Sequence, residues 1–109
     1  MGDVCVLGLG KSGYALADYL SKFLGKRVNS IYVFANKKTE NALMMADKLL
    51  KKYVKVVFIK DSFSNEFDLC IVSPGIAPHS NLYKCAKNQC KELIGEVEFA
   101  WRECNCKAK

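Results

Sequence analysis

Val4-Cys5-Val6-Leu7-Gly8-Leu9-Gly10-Lys11-Ser12-Gly13 decides the fold. Its first four residues form a continuous apolar run, the pattern of a strand buried on both faces, as in the middle of a parallel sheet. The next six complete a G-x-G-x-x-G. From Ser12 onward Leu16, Tyr19, Leu20, Phe23 and Leu24 recur at helical spacing until Gly25 ends the run. A strand, a glycine-rich turn and a helix in that order open a nucleotide-binding βαβ unit. The first glycine permits the tight turn, the second lets backbone approach a diphosphate, and the third lets the helix pack close to the strand. Free N–H groups and the dipole at the helix start favour an anion, to which Lys11 adds charge and Ser12 a hydroxyl donor.

The rest of the chain continues the alternation. Ser30 to Phe34 is rich in β-branched and aromatic residues and predicts a second strand, leading into polar Asn36-Lys37-Lys38. Thr39 is placed to N-cap a second helix reaching Lys52, with Leu43, Ala46, Leu50 and Tyr53 as its inward stripe. Val54 to Ile59 predicts strand three and Asp68 to Val72 strand four. The latter ends in Ser73-Pro74-Gly75-Ile76, where Pro then Gly suit the centre of a type II turn. Asn81 to Cys90 predicts a third helix, Glu92 to Ile94 a short fifth strand, and Val97, Ala100, Trp101 and Cys104 a fourth helical stripe. The expected fold is α/β: a Rossmann-like open parallel sheet of five strands in the order 3-2-1-4-5, with helices on both faces. The chain reverses direction between strands one and four, so the loops after them splay apart and open a crevice.

Composition narrows the classes. With 109 residues, 50% hydrophobic and 26% charged, the chain can bury a core and is not disordered. Its net charge of +6 is dispersed rather than clustered with aromatics, which argues against a nucleic-acid partner. No run reaches the ~18 apolar residues of a membrane span, and the start lacks a basic secretory signal, so the cytoplasm is the expected location. Six cysteines, at 5, 70, 85, 90, 104 and 106, lack paired C-x-x-C spacing and are read as reduced, with no metal site.

Other chemistries fit poorly. Gly10-Lys11-Ser12 ends like a Walker A loop, but that motif needs a glycine where Cys5 stands. An NAD enzyme carries an acidic residue ~20 positions beyond the glycines. Here that stretch is Ala35-Asn36-Lys37-Lys38, which leaves a stand-alone NADP-binding or regulatory module as the alternative. His79, beside Pro78, reads as a loop residue or helix cap, and no catalytic constellation is present in this segment.

Three separated motifs, Val6 to Gly13, Ser73-Pro74-Gly75-Ile76, and Gly95-Glu96-Val97-Glu98-Phe99-Ala100-Trp101-Arg102, together resemble the N-terminal domain of the MurD family of peptidoglycan ligases. The resemblance implies a uridine-nucleotide-binding domain over 1–103 and a polar tail over 104–109 before an ATPase domain. The family adds D-glutamate to UDP-N-acetylmuramoyl-L-alanine, using ATP and magnesium held by central and C-terminal domains. By resemblance Gly10, Lys11 and Ser12 would meet the diphosphate, while Asn36, Lys37, Ser73, Pro74 and Gly75 would frame the uridine. No cofactor and no catalytic residue is expected within this segment. The sequence departs from the family at Ala35, where an acidic residue is usual, and in lacking the P-loop expected soon after Arg102.

Overall fold

The computed structural model describes residues 2–36, 38–59 and 62–108, the last four as backbone only. The elements run β1 (Gly2–Leu7), α1 (Lys11–Ser21), β2 (Val28–Ala35), α2 (Glu40–Leu50), β3 (Lys55–Phe58), β4 (Phe67–Val72), α3 (Asn81–Gln89), β5 (Cys90–Gly95) and α4 (Glu96–Ala108). The sheet has five strands in the order β3-β2-β1-β4-β5, every pair parallel. This is the expected Rossmann-like topology. Helix α4 continues through the segment read as a polar tail.

Alternation along β1 divides the core into two layers. Val4 and Val6 point into a cluster with Ala17 and Leu20 of α1, Leu49 of α2 and Phe99 of α4. Cys5 and Leu7 point the other way, toward Leu82 and Ala86 of α3. Period-two alternation with both faces covered explains why β1 has no polar position from Val4 to Leu7. The α3 layer is completed by aromatic rings: Phe63, in the stretch between β3 and β4, stacks on Phe34 with centroids 4.1 Å apart, and Phe67 meets both edge-on.

Two helices bury a different face from the one their periodicity predicted. In α2 the buried residues are Ala42 and Leu49, while Leu43, Leu50 and Tyr53 are exposed. The buried stripe is thus turned by about one position, 100°, from the predicted one. Tyr53 also lies beyond the helix, in a Schellman turn in which its N–H donates to Leu50 and that of Val54 to Leu49. In α4 the predicted stripe of Val97, Ala100, Trp101 and Cys104 is exposed; Phe99 and Glu103 turn inward instead. A polar pairing decides this orientation. Glu103 accepts from Tyr19 at 2.6 Å and from both terminal nitrogens of Arg27 at 3.0 and 2.7 Å, tying α4 to α1 and to the entrance of β2.

Tyr53 takes φ 67°, a left-handed conformation at the turn position where glycine is usual, and is 85% exposed. Nothing in its packing offsets the ~1 kcal/mol this conformation costs an L residue. Tyr53→Gly should therefore raise stability by about 1 kcal/mol, read as a higher urea midpoint at unchanged slope. A lower midpoint would show that the exposed ring contributes more than the backbone loses.

Candidate nucleotide-binding site

The site lies at the C-terminal ends of β1, β2 and β4. Gly8 follows β1 with φ +97°, a left-handed value that favours glycine. Its N–H donates to the Phe34 carbonyl at 2.8 Å, and the Ser73 N–H donates to the Leu7 carbonyl at 3.0 Å. The ladder thus extends past the strand ends and holds the glycine loop against both neighbours. A Cβ on Gly8 would stand 3.0 Å from that of Ser73 and 3.3 Å from Cγ1 of Ile76, so the β1 and β4 loops are in contact where they leave the sheet.

The three glycines of the loop have separate physical roles. At Gly13 a Cβ would fall 2.2 Å from the Gly8 carbonyl oxygen, a backbone clash that no rotamer relieves. At Gly10 the backbone is extended, φ −135° and ψ −161°, and a Cβ would meet nothing within 4 Å. Packing and conformation explain Gly8 and Gly13. Neither explains Gly10, which faces open space at the start of α1.

Helix α1 begins there without a capping side chain and without an acidic residue in its first turn. Tyr14 is the first residue to close a helical hydrogen bond, to the Gly10 carbonyl at 2.8 Å. The preceding N–H groups belong to Lys11, Ser12 and Gly13, and such helix-start donors point along the axis toward any bound anion. Gly10, Lys11 and Ser12 are all exposed. By contrast, α2 and α3 have their first turns capped by Thr39 and Ser80.

The remaining predicted residues sit around this helix start. Asn36 is exposed at the end of β2, directly beside β1. Lys37 lies outside the described residues. Ala35, where the resemblance led to the expectation of an acidic residue, is buried, and its carbonyl accepts from Ile59 N–H. The first solvent-facing polar group after β2 is therefore Asn36. Ser73 is half-buried, while Pro74 and Gly75 are exposed. The turn closes with Ile76 N–H donating to the Ser73 carbonyl at 3.0 Å, but Gly75 is not among the glycines with positive φ. It is not the predicted type II turn. Gly75 has open space where a Cβ would stand, so like Gly10 it presents bare backbone to open space. His79 is exposed and does not cap α3; Ser80 does.

One neighbour was not anticipated as part of the site. Ser12 lines a groove between α1 and α4, about 530 Å³, with Leu16, Tyr19, Glu96 and Phe99. Burial pushes the Glu96 carboxyl up, and its Oε2 has no hydrogen-bond partner among the described residues. The helix-start motif Gly95-Glu96 was the signal in the sequence, where it reads more simply as a helix that packs on the sheet, with Glu96 favourable near its N-terminus.

The chain matches the family described as Mur ligase MurD-like, N-terminal domain, over residues 2–95. It is 38% identical over 102 residues to a protein of Caldanaerobacter subterraneus named UDP-N-acetylmuramoylalanine--D-glutamate ligase, covering 91% of this chain and 22% of that protein. Proteins of the same name from Caldicellulosiruptor bescii and Tropheryma whipplei are 35% and 32% identical, covering 96% and 92% of this chain and 22% and 20% of theirs. The chain thus spans about a fifth of the length of these curated relatives. No solved structure matches it.

The glycine geometry makes opposite predictions for two similar changes. Gly13→Ala should lower stability by about 1 to 3 kcal/mol, since the helix must move off the strand. Gly10→Ala should change it by no more than about 0.5 kcal/mol. Equal losses in chemical denaturation would contradict the division of roles.

Proposed function

We propose, since the chain belongs to the MurD-like N-terminal domain family of Mur ligases, that it anchors the uridine diphosphate end of UDP-N-acetylmuramoyl-L-alanine in an ATP-dependent D-glutamate-adding ligase of peptidoglycan synthesis. The observation that carries this reading is Gly10: a glycine required neither by backbone conformation nor by packing, at an uncapped helix start. Room for a close backbone approach is what a diphosphate needs at that position.

In this account the N–H groups of Lys11, Ser12 and Gly13 donate to diphosphate oxygens, and the Lys11 ammonium balances their charge. Asn36 and Lys37 on one side and Ser73, Pro74 and Gly75 on the other frame the uridine. The segment performs no bond-making. It holds the nucleotide end of a long substrate so that the distant carboxyl is presented to the central and C-terminal domains of the complete enzyme, where ATP and magnesium act. Binding energy from the non-reacting end is spent on positioning at the reacting end. Residues 1–103 form the nucleotide-binding unit, and α4 leads on toward the ATPase domain. The account places this step in the cytoplasm; separately, among the described residues no helix is long and apolar enough to cross a membrane.

A dinucleotide-sensing module would use the same glycine loop but gives no role to the Ser73–Ile76 turn. The matched family covers that turn. Lys38, one of the two lysines that could meet a 2'-phosphate, lies with its Nζ over the Phe58 ring at 5.9 Å.

Calorimetry with UDP and with NADPH separates the two readings: UDP should bind the chain at least tenfold more tightly. Gly10→Val should remain folded, since its backbone is extended and the space open, yet weaken UDP at least tenfold, about 1.4 kcal/mol. Preference for NADPH, or wild-type UDP affinity in folded Gly10→Val protein, would overturn the assignment.

A further inference from the structure

Three cysteines that are far apart in sequence converge beneath the sheet. Strand pairing sets Cys5 of β1 beside Cys70 of β4, and β5 begins at Cys90, opposite Phe67 of β4. The three sulfurs lie within 4.8 Å of one another, Cys5 and Cys90 at 3.8 Å. Cys5 and Cys70 are fully buried. Cys90 is half-buried and reaches the wall of a cavity of about 470 Å³ that also takes in Asp3, Glu66, Asp68 and Lys91. This cavity opens at the N-terminal ends of the strands, away from the glycine loop. Cys85 is not part of the group; its sulfur is engaged with the backbone of Phe63.

We propose that Cys5, Cys70 and Cys90 form a three-sulfur site for one soft metal ion of the Cu(I) class. Three sulfurs held about 2.3 Å from a common centre in one plane stand about 4 Å apart. The observed separations need adjustments of less than about 1 Å to reach that spacing. Soft thiolates select soft ions, while calcium and magnesium require oxygen ligands that the group does not contain. A structural zinc site takes four protein ligands. Among the described residues no histidine, aspartate, glutamate or fourth cysteine joins this group. Three sulfurs satisfy Cu(I) and leave a structural zinc site incomplete.

Charge at the cavity supports the same occupant. Of the three cysteines, only Cys90 lines the cavity. Asp68 accepts from the Asp3 N–H at 2.9 Å and pairs with Lys91 at the cavity wall. Carboxylates lining an entrance draw cations toward it. As the metal–sulfur bonds form, the thiol protons leave to solvent; no electron is transferred. A bound ion would link β1, β4 and β5 directly.

The test is an anaerobic titration of the reduced chain with Cu(I) against bicinchoninate, in a Cys104→Ser, Cys106→Ser background that removes the thiols near the chain's end. One ion per chain should be withdrawn from the chelator, with a rise in Tm, and X-ray absorption should report three sulfur neighbours. Cys90→Ser should weaken binding at least a hundredfold. Cys85→Ser should leave it unchanged. The sulfur count is measured with all three cysteines intact, so it stands even should Cys90→Ser fail to fold. No ion retained against the chelator, undiminished binding by folded Cys90→Ser protein, or a coordination of fewer than three sulfurs would each overturn the proposal.

Discussion

The contact between Gly13 and the Gly8 carbonyl is the constraint on which the rest of the architecture depends. With no side chain at Gly13, the first turn of α1 rests on the turn that ends β1, where a Cβ would fall 2.2 Å from the Gly8 oxygen. Gly8 in turn needs φ +97° to make the reversal and has Ser73 and Ile76 pressed against it. Helix, strand and the β4 loop are thereby held in one arrangement. The start of α1 cannot drift from the sheet, and a donor array fixed in this way loses little freedom when an anion binds.

Around that contact the two faces of the sheet are closed by different means. One is held by aliphatic packing of α1 and α2 and by α4, whose buried Glu103 is matched by Arg27 and Tyr19. A carboxylate taken into a core needs such partners to offset its desolvation, and here the match also decides which way α4 faces. The other is closed by α3 and stacked phenylalanines, with the three-cysteine group beneath β1, β4 and β5. The glycine loop lies at the C-terminal ends of the strands, whereas the cavity beside Cys90 opens at their N-terminal ends, and the proposed nucleotide and metal sites share no residue.

The sheet order and the glycine loop were legible because they depend on local signals: apolar runs that demand burial on both faces, and a turn that only glycines complete. The buried faces of α2 and α4 were not. In α2 more than one apolar face was available to the periodicity, and in α4 the buried face includes Glu103, whose partner Arg27 is distant in sequence. Gly75 shows a similar limit, since Pro-Gly is compatible with more than one turn and the structure takes one without a positive φ. The cysteine group was invisible for a simpler reason. Residues 5, 70 and 90 become neighbours only through strand pairing, which no spacing rule along the chain reveals.

The central claim, that the glycine loop and the β4 turn receive a uridine diphosphate, is tested most directly by following backbone amide resonances of the chain as UDP is added. The account predicts the largest shifts at Gly10, Lys11, Ser12 and Gly13, with smaller ones at Asn36 and at Ser73 and Gly75, and little change at the strand starts around Asp3 and Cys90. Shifts concentrated at the strand starts, or none at the start of α1 at saturating UDP, would contradict it.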